Sequence, residues 1–162
     1  MPATRKKAAP FWETKTLAQM TRREWESLCD GCGRCCLHKV EDTDTGEIFY
    51  TSVACKLLNV KTARCRHYAR RLEHVPDCIV LKKQHIGHLK WLPESCAYRR
   101  LDEGRGLADW HPLVSGDPDS VYAAGISVAG RAKPGAGVSE DEYDEHLIDW
   151  IPVGQRTCDE VP

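Results

Sequence analysis

The sequence predicts a small α+β domain of short helices and a β-hairpin, organised around a cysteine-rich metal site. Three observations lead there: two helix-start signatures near the N-terminus, one pair of alternating segments around a turn-rich stretch, and eight cysteines between residues 29 and 96. The 162-residue length suits one domain, since domains cluster near ~100–150 residues. The apolar supply is thin. Leu, Ile, Val and Phe together number 32, a share that borders on disordered composition. Disorder, however, goes with a large net charge, and here the net is −1. A modest core plus clustered thiols implies that metal supplies part of the folding free energy. Structural zinc contributes apparent energies of ~10–16 kcal/mol in small peptides, comparable with the stability of a whole domain.

Along the chain, residues 1–11 read as a disordered arm. Thr16–Gln19 and Thr21–Glu24 each fit the capping box, in which Thr and Gln or Glu side chains satisfy free N–H groups at a helix start. Met20 can staple against Trp25, so a helix from about Arg22 to Leu28 delivers the chain into a loop, Cys29-Asp30-Gly31-Cys32-Gly33-Arg34-Cys35-Cys36. Gly31 and Gly33 are expected at positive φ between the thiols. Leu37–Glu41 and Glu47–Val53 flank Asp42–Gly46 as a hairpin, with Cys55 at its end. Residues 56–77 read as loop and turn. Short helices are expected from Asp77-Cys78 and over Gln84–Leu89. Another is capped by Ser95 and runs through Cys96 to about Glu103, where Gly104 stops it. A short helix follows Asp117-Pro118, residues 130–137 form a flexible loop, and Asp141–Trp150 an acidic helix or strand.

Thiolates at the density of Cys29–Cys36 repel one another unless a cation lies between them. Cys29 and Cys32 make one C-x2-C knuckle, but no second one follows, so a zinc ribbon is excluded. Cys29, Cys32 and Cys35 match the first three ligands of a bacterial ferredoxin run. Adjacent cysteines are expected to point apart, so Cys35 and Cys36 should not share one small ion. Two arrangements follow. Three loop thiolates plus one distant cysteine could hold a cubane cluster, or the eight from Cys29, Cys32, Cys35 and Cys36 through Cys55, Cys65, Cys78 and Cys96 could divide into two four-sulfur sites. An odd count of nine cysteines fits poorly with a disulfide framework. Cys158 reads as a surface thiol.

His38, His67 and His74 lie near cysteines and could replace a sulfur, although hydrated surface histidines are the simpler reading. His85 and His88 lack a second ligand pair. His111, beside Asp109, could move a proton or simply hold a loop. No P-loop, GxGxxG, HExxH or GxSxG motif is present. Charge is uneven: residues 56–105 carry twelve basic and five acidic side chains, residues 106–162 three and eleven. The acidic part is expected to pack on the basic part. The basic stretch Arg64, Arg66, Arg70 and Arg71 around Tyr68 could form a binding surface, but a pI of about 6.6 argues against a dedicated nucleic-acid binder. No export signal or membrane span is evident, which points to the cytoplasm, where clustered cysteines mean metal or redox chemistry.

Cys29–Cys36 resembles the CxxCxxCC signature of the YkgJ-type zinc- or iron-chelating domains, and the wider chain is similar to the bacterial YcgN group within that set. Supporting stretches are Glu24–Leu28, Trp91–Pro93, Cys96–Arg99, Leu107–Leu113, Ser115–Asp117 and Gly125–Ser127. The resemblance covers about residues 12–150. It implies a metal-chelating domain over 12–155, with residues 156–162 as a tail, and no assigned reaction. A related cysteine cluster in flagellin lysine methylases, associated with an iron–sulfur centre, tilts the metal toward iron. Three roles stay open: a structural or redox metal protein, an iron-dependent enzyme with an incompletely ligated site, and a binding module using residues 56–105. Protein partners are not legible.

Overall fold

The computed structural model describes residues 8–78 and 80–153. Cys158, the 156–162 tail and the first seven residues of the arm lie outside the described residues.

Helix α1, Phe11–Thr14, opens the described chain. A 3-10 turn, Leu17–Gln19, and helix α2, Arg22–Ser27, both start at the expected capping boxes. In the second box Glu24 N donates to Thr21 Oγ1 and Thr21 N to Glu24 Oε2, each at 3.2 Å. Lys15 adds a 2.7 Å ion pair to Glu24. Met20, Trp25 and Leu28 then enter a helical core with Ile86, Leu92, Ala97 and Tyr98.

Strands β1, Leu37–Glu41, and β2, Ile48–Ala54, form the antiparallel hairpin, in register Lys39 with Tyr50 and Glu41 with Ile48. An irregularity between Leu37 and Lys39 lets the ladder continue past β2, where Cys55 N donates to Cys36 O at 2.8 Å. Inside the stretch read as loop, β3, Leu58–Asn59, and β4, Arg64–Cys65, make a second, two-residue hairpin. A second core gathers Leu37, Tyr50, Ala54, Leu58, Ala63, Val128 and Ile151 around these strands.

The remaining helices are short: α3, Arg71–His74; α4, Ala97–Asp102; α5, Pro112–Ser115; α6, Ser120–Ala123. No helix starts at Asp77-Cys78. Residue 75 leaves helical geometry before Pro76, as a residue preceding proline tends to, and Cys78 N bonds back to Val75 O. The Gln84–Leu89 helix is present as a 3-10 turn, Lys83–His88. Ser95 does not cap α4. Its hydroxyl instead accepts from Arg34 Nη1 at 3.1 Å, a tertiary contact that outweighs the local one.

The loop 130–137 docks on β2 rather than hanging free. Lys133 N donates to Ser52 O at 2.7 Å, and Ala54 N to Lys133 O at 2.9 Å. A Cβ on Gly135 would overlap the Ala54 carbonyl. The unpaired edge of β2 needs these partners, because buried backbone groups must be hydrogen-bonded. Residues Glu140–His146 form a capped 3-10 turn, and Leu147 bridges to Thr51. This acidic segment packs on the hairpin, while other parts of residues 106–153 meet the basic middle, as where Gly130 N donates to Val60 O and Glu94 N to Pro152 O, each at 2.9 Å. The basic residues find other acids: Arg70 pairs with Glu73, Lys90 with Glu41, and Arg99 and Arg105 with Glu103. No helix among the described residues is long and apolar enough to cross a membrane.

Candidate metal centre

The cysteine loop joins the two cores, leaving the helical one at Leu28 and entering the hairpin one at Leu37. Both glycines are at positive φ, Gly31 at 71° and Gly33 at 77°. A Cβ on Gly31 would collide with the Arg64 guanidinium, and one on Gly33 would sit 2.8 Å from Val128. Asp30 is buried and accepts from Cys32 N at 2.9 Å, closing the loop between the thiols.

Cys29, Cys35, Cys36, Cys55, Cys65 and Cys78 line one cavity of about 110 Å³. Local structure explains how. The continued β1–β2 ladder sets Cys55 beside Cys36, and the β3–β4 pairing sets Cys65 opposite Leu58. A turn at residues 75–78 brings Cys78 in. Trp25, Tyr68, Trp91, Tyr98 and leucines complete a mostly apolar wall. Cys32 and Cys96 do not line this cavity. Cys32 Sγ accepts from Arg34 N at 3.4 Å, and both thiols interact electrostatically with Cys29 and Cys35.

The eight cysteines from Cys29 to Cys96 form no disulfide with one another. Among the described residues, no three His, Cys, Asp or Glu side chains already converge on a point where an ion would sit. The thiols are gathered along walls. Burial pushes Cys96 up to about 12 and raises Cys32 strongly. Burial and neighbouring thiols also raise Cys29, which keeps one side open to water. Cys35 and Cys36 do not point apart as expected: both line the same cavity. Their mutual interaction, with the Lys39 charge nearby, lowers Cys35 to about 7 and raises Cys36.

The thiols form one linked set: Cys29 interacts with Cys32, Cys35 and Cys96, Cys36 with Cys35, Cys55 and Cys29, and Cys78 with Cys55 and Cys65. Such donors suit a soft thiophilic metal, since thiolates select zinc, copper(I) and iron–sulfur centres. Glu26 is the one carboxylate among the described lining residues, and Tyr68 donates to it at 2.7 Å.

Two cations at the site were missed by the sequence reading. Lys39 Nζ donates to Cys35 O at 2.9 Å and Leu37 O at 2.8 Å, and lies 4.9 Å from the Trp91 ring centre. Arg34 is buried and donates through Nε to Ile126 O at 2.8 Å. Arg34 carried a readable signal, a cation between two cysteines. Lys39 carried none, because an outward strand lysine has the same local pattern.

The histidines lie apart from the cavity. His67 and His74 stack on each other at 4.4 Å, and His38 stacks on Tyr143 at 4.8 Å. His85 and His88 belong to the 3-10 turn. His111 is buried with both nitrogens committed to backbone: Nε2 donates to Leu28 O at 2.8 Å, and Nδ1 accepts from Leu113 N at 3.0 Å. It caps α5 and fastens the start of the cysteine loop, while Asp109 beside it is exposed. The basic stretch is partly engaged too. Arg64 donates to Asp30 O at 3.2 Å, and Arg71 stacks 4.2 Å from the Tyr68 ring centre.

Residues 28–97 match a family described as "Putative zinc- or iron-chelating domain", the CxxCxxCC domain. The chain is 57% identical over 139 residues to a UPF0260 protein of Ectopseudomonas mendocina, covering 86% of this chain and 93% of that one. It is 57% identical over 143 residues to a UPF0260 protein of Rhizorhabdus wittichii, covering 86% and 94%. To a UPF0260 protein of Rhizobium johnstonii it is 51% identical over 152 residues, covering 93% and 96%. No solved structure matches the chain significantly.

Proposed function

The chain belongs to the UPF0260 family, and from that premise we propose that it is a metal-binding protein with two four-cysteine centres of the iron–sulfur kind. Cys29, Cys32, Cys35 and Cys96 would hold one, and Cys36, Cys55, Cys65 and Cys78 the other. The observation that carries this reading is that six of the eight thiols line one cavity, while Cys32 and Cys96 interact with Cys29 and Cys35 at its edge. Three thiols at C-x2-C-x2-C plus a distant fourth is a cluster-ligand pattern, and neighbouring cysteines serving different clusters have a parallel in two-cluster ferredoxins.

The protein's own contribution is legible in its residues. Metal affinity requires thiolates, and burial of Cys29, Cys32 and Cys96 opposes their ionisation until a cation is present. Lys39 and the backbone N–H of Arg34 offset negative charge at Cys35 and Cys32. Trp25, Trp91 and Tyr98 restrict water. A bound cluster would supply electron storage or structural cross-linking. Positions 12–155 form the proposed metal-binding unit.

The test is iron, zinc and acid-labile sulfide content of anaerobically purified protein, with its visible and electron paramagnetic resonance spectra. Iron and sulfide are expected, with about half of each lost in Cys96→Ala and the complementary half in Cys55→Ala. Zinc without sulfide would replace iron and keep the two-site assignment. Complete loss of metal in both variants would reject two separate centres, and metal-free yet folded protein would reject metal binding.

A further inference from the structure

We propose that the cleft beside the cysteine loop binds a small phosphate ester with a flat organic body. This cleft, about 430 Å³, shares no described lining residue with the thiol cavity. Its size lies within the ~300–1,000 Å³ range of small-molecule sites. Arg34 and Ser95 line it, and their chain neighbours Cys35 and Cys96 belong to the thiol group, so the cleft lies beside the cysteine loop.

Three guanidiniums face the cleft: Arg34, Arg100 and Arg105. Each is held by backbone rather than left to swing. Arg34 Nε is fixed to Ile126 O, Arg100 Nε to Gly106 O at 3.0 Å, and Arg105 Nη2 to Glu94 O at 2.9 Å. The terminal nitrogens of Arg100 make no hydrogen bond among the described residues. Planar guanidinium forks are suited to phosphate and carboxylate oxygens, and pre-positioning reduces the entropy lost on binding.

Charge selects among anions. Among the lining residues three arginines and Glu94 sum to a net of two positive charges, with Asp30 acting on Arg34 from outside the lining. Glu103, which also contacts Arg105, is matched by the buried Arg99. A phosphate monoester carries about −1.5 to −2 at neutral pH, which matches that net charge better than a single carboxylate or a polyphosphate does. The rest of the wall is apolar and aromatic. Trp150 is already engaged by Arg131, 3.6 Å from its ring centre, whereas Trp110 offers a surface for a flat ring. Glu94 and Ser95 can accept hydrogen bonds from hydroxyls of the ligand.

The test is titration calorimetry of the intact, metal-loaded protein with adenosine monophosphate, inorganic phosphate and adenosine as separate probes. Adenosine monophosphate is expected to bind at least about tenfold more tightly than either half alone. Arg105→Gln, a partly exposed site, and Arg100→Gln/Arg105→Gln should each weaken it by about tenfold or more. Arg70→Gln, on the far basic segment, should leave it unchanged. No binding up to about 1 mM probe would overturn the proposal. So would unchanged affinity in Arg105→Gln, equal loss in Arg70→Gln, or equal binding of phosphate or adenosine alone.

Discussion

The helical and hairpin cores each bury seven side chains in their central clusters, yet they are built differently. The helical core is framed by local devices: two capping boxes, a short helix and a 3-10 turn. Its two segments, 20–28 and 86–98, are tied by a buried contact in which Tyr98 Oη donates to Trp25 O at 2.8 Å. The hairpin core depends on segments far away in sequence, since Val128, Ile151 and Lys133 come to it from the C-terminal half. The contrast shows where cross-linking matters most. Between cores of this size, an eight-residue loop carrying four thiols is the joint, and metal at the joint would couple two units that are individually small.

Removing the metal should have the largest effect. Chelation or anaerobic acid treatment is expected to lower Tm by about 10 °C or more, since bound structural metal contributes folding free energy directly. Trp25 fluorescence and far-ultraviolet circular dichroism should then stop coinciding as the cores melt separately. Coincident transitions in metal-free protein would break the two-core comparison.

Gly33→Ala comes next and should strike the hairpin side, because the new Cβ meets Val128 and Ala63. A left-handed conformation costs ~1–2 kcal/mol for a non-glycine residue, and overpacking adds ~1–3 kcal/mol. Gly104→Ala, at φ 73° with open space around it, should cost only the conformational part. Equal urea midpoints for the two variants would refute the packing argument.

His111→Gln should act on the helical side, leaving Leu28 O and Leu113 N without their present partners at a cost of about 1–3 kcal/mol. Chemical denaturation of the metal-loaded variant checks it.

The smallest effect concerns Glu24. Its hydrogen bond from Lys15 and that from Thr21 N hold its carboxyl below the ordinary carboxylate range. A depressed carboxylate stabilises the fold above its unfolded pKa, and that contribution disappears as pH falls through the folded value. The Tm difference between wild type and Glu24→Gln should therefore narrow as pH drops from neutral to about 3. A constant difference would remove the electrostatic part of the cap.

What the sequence disclosed was local. Capping boxes, the Leu37–Glu41 strand, the positive φ of Gly31 and Gly33, and the stop at Gly104 depend on neighbours within a few residues. What it concealed was tertiary. Ser95 serves Arg34 rather than α4, and the 130–137 loop is held by an edge that is not identifiable before β2 is placed. Among the thiols, the candidate pool was readable from residue type. The convergence of Cys35 and Cys36 on one cavity depends on a 3-10 turn, Arg34–Cys36, that no spacing rule announces.

The docking of Lys133 and the bridge from Leu147 along β2 also bear on solubility. A strand with an exposed row of backbone donors and acceptors recruits other chains, which is how many small β-structures start to aggregate. Here two short C-terminal stretches act as a sealing strip. Shortening the Gly/Pro-rich stretch would therefore expose an adhesive edge, and the damage would be measured as precipitation during expression rather than as a lost metal.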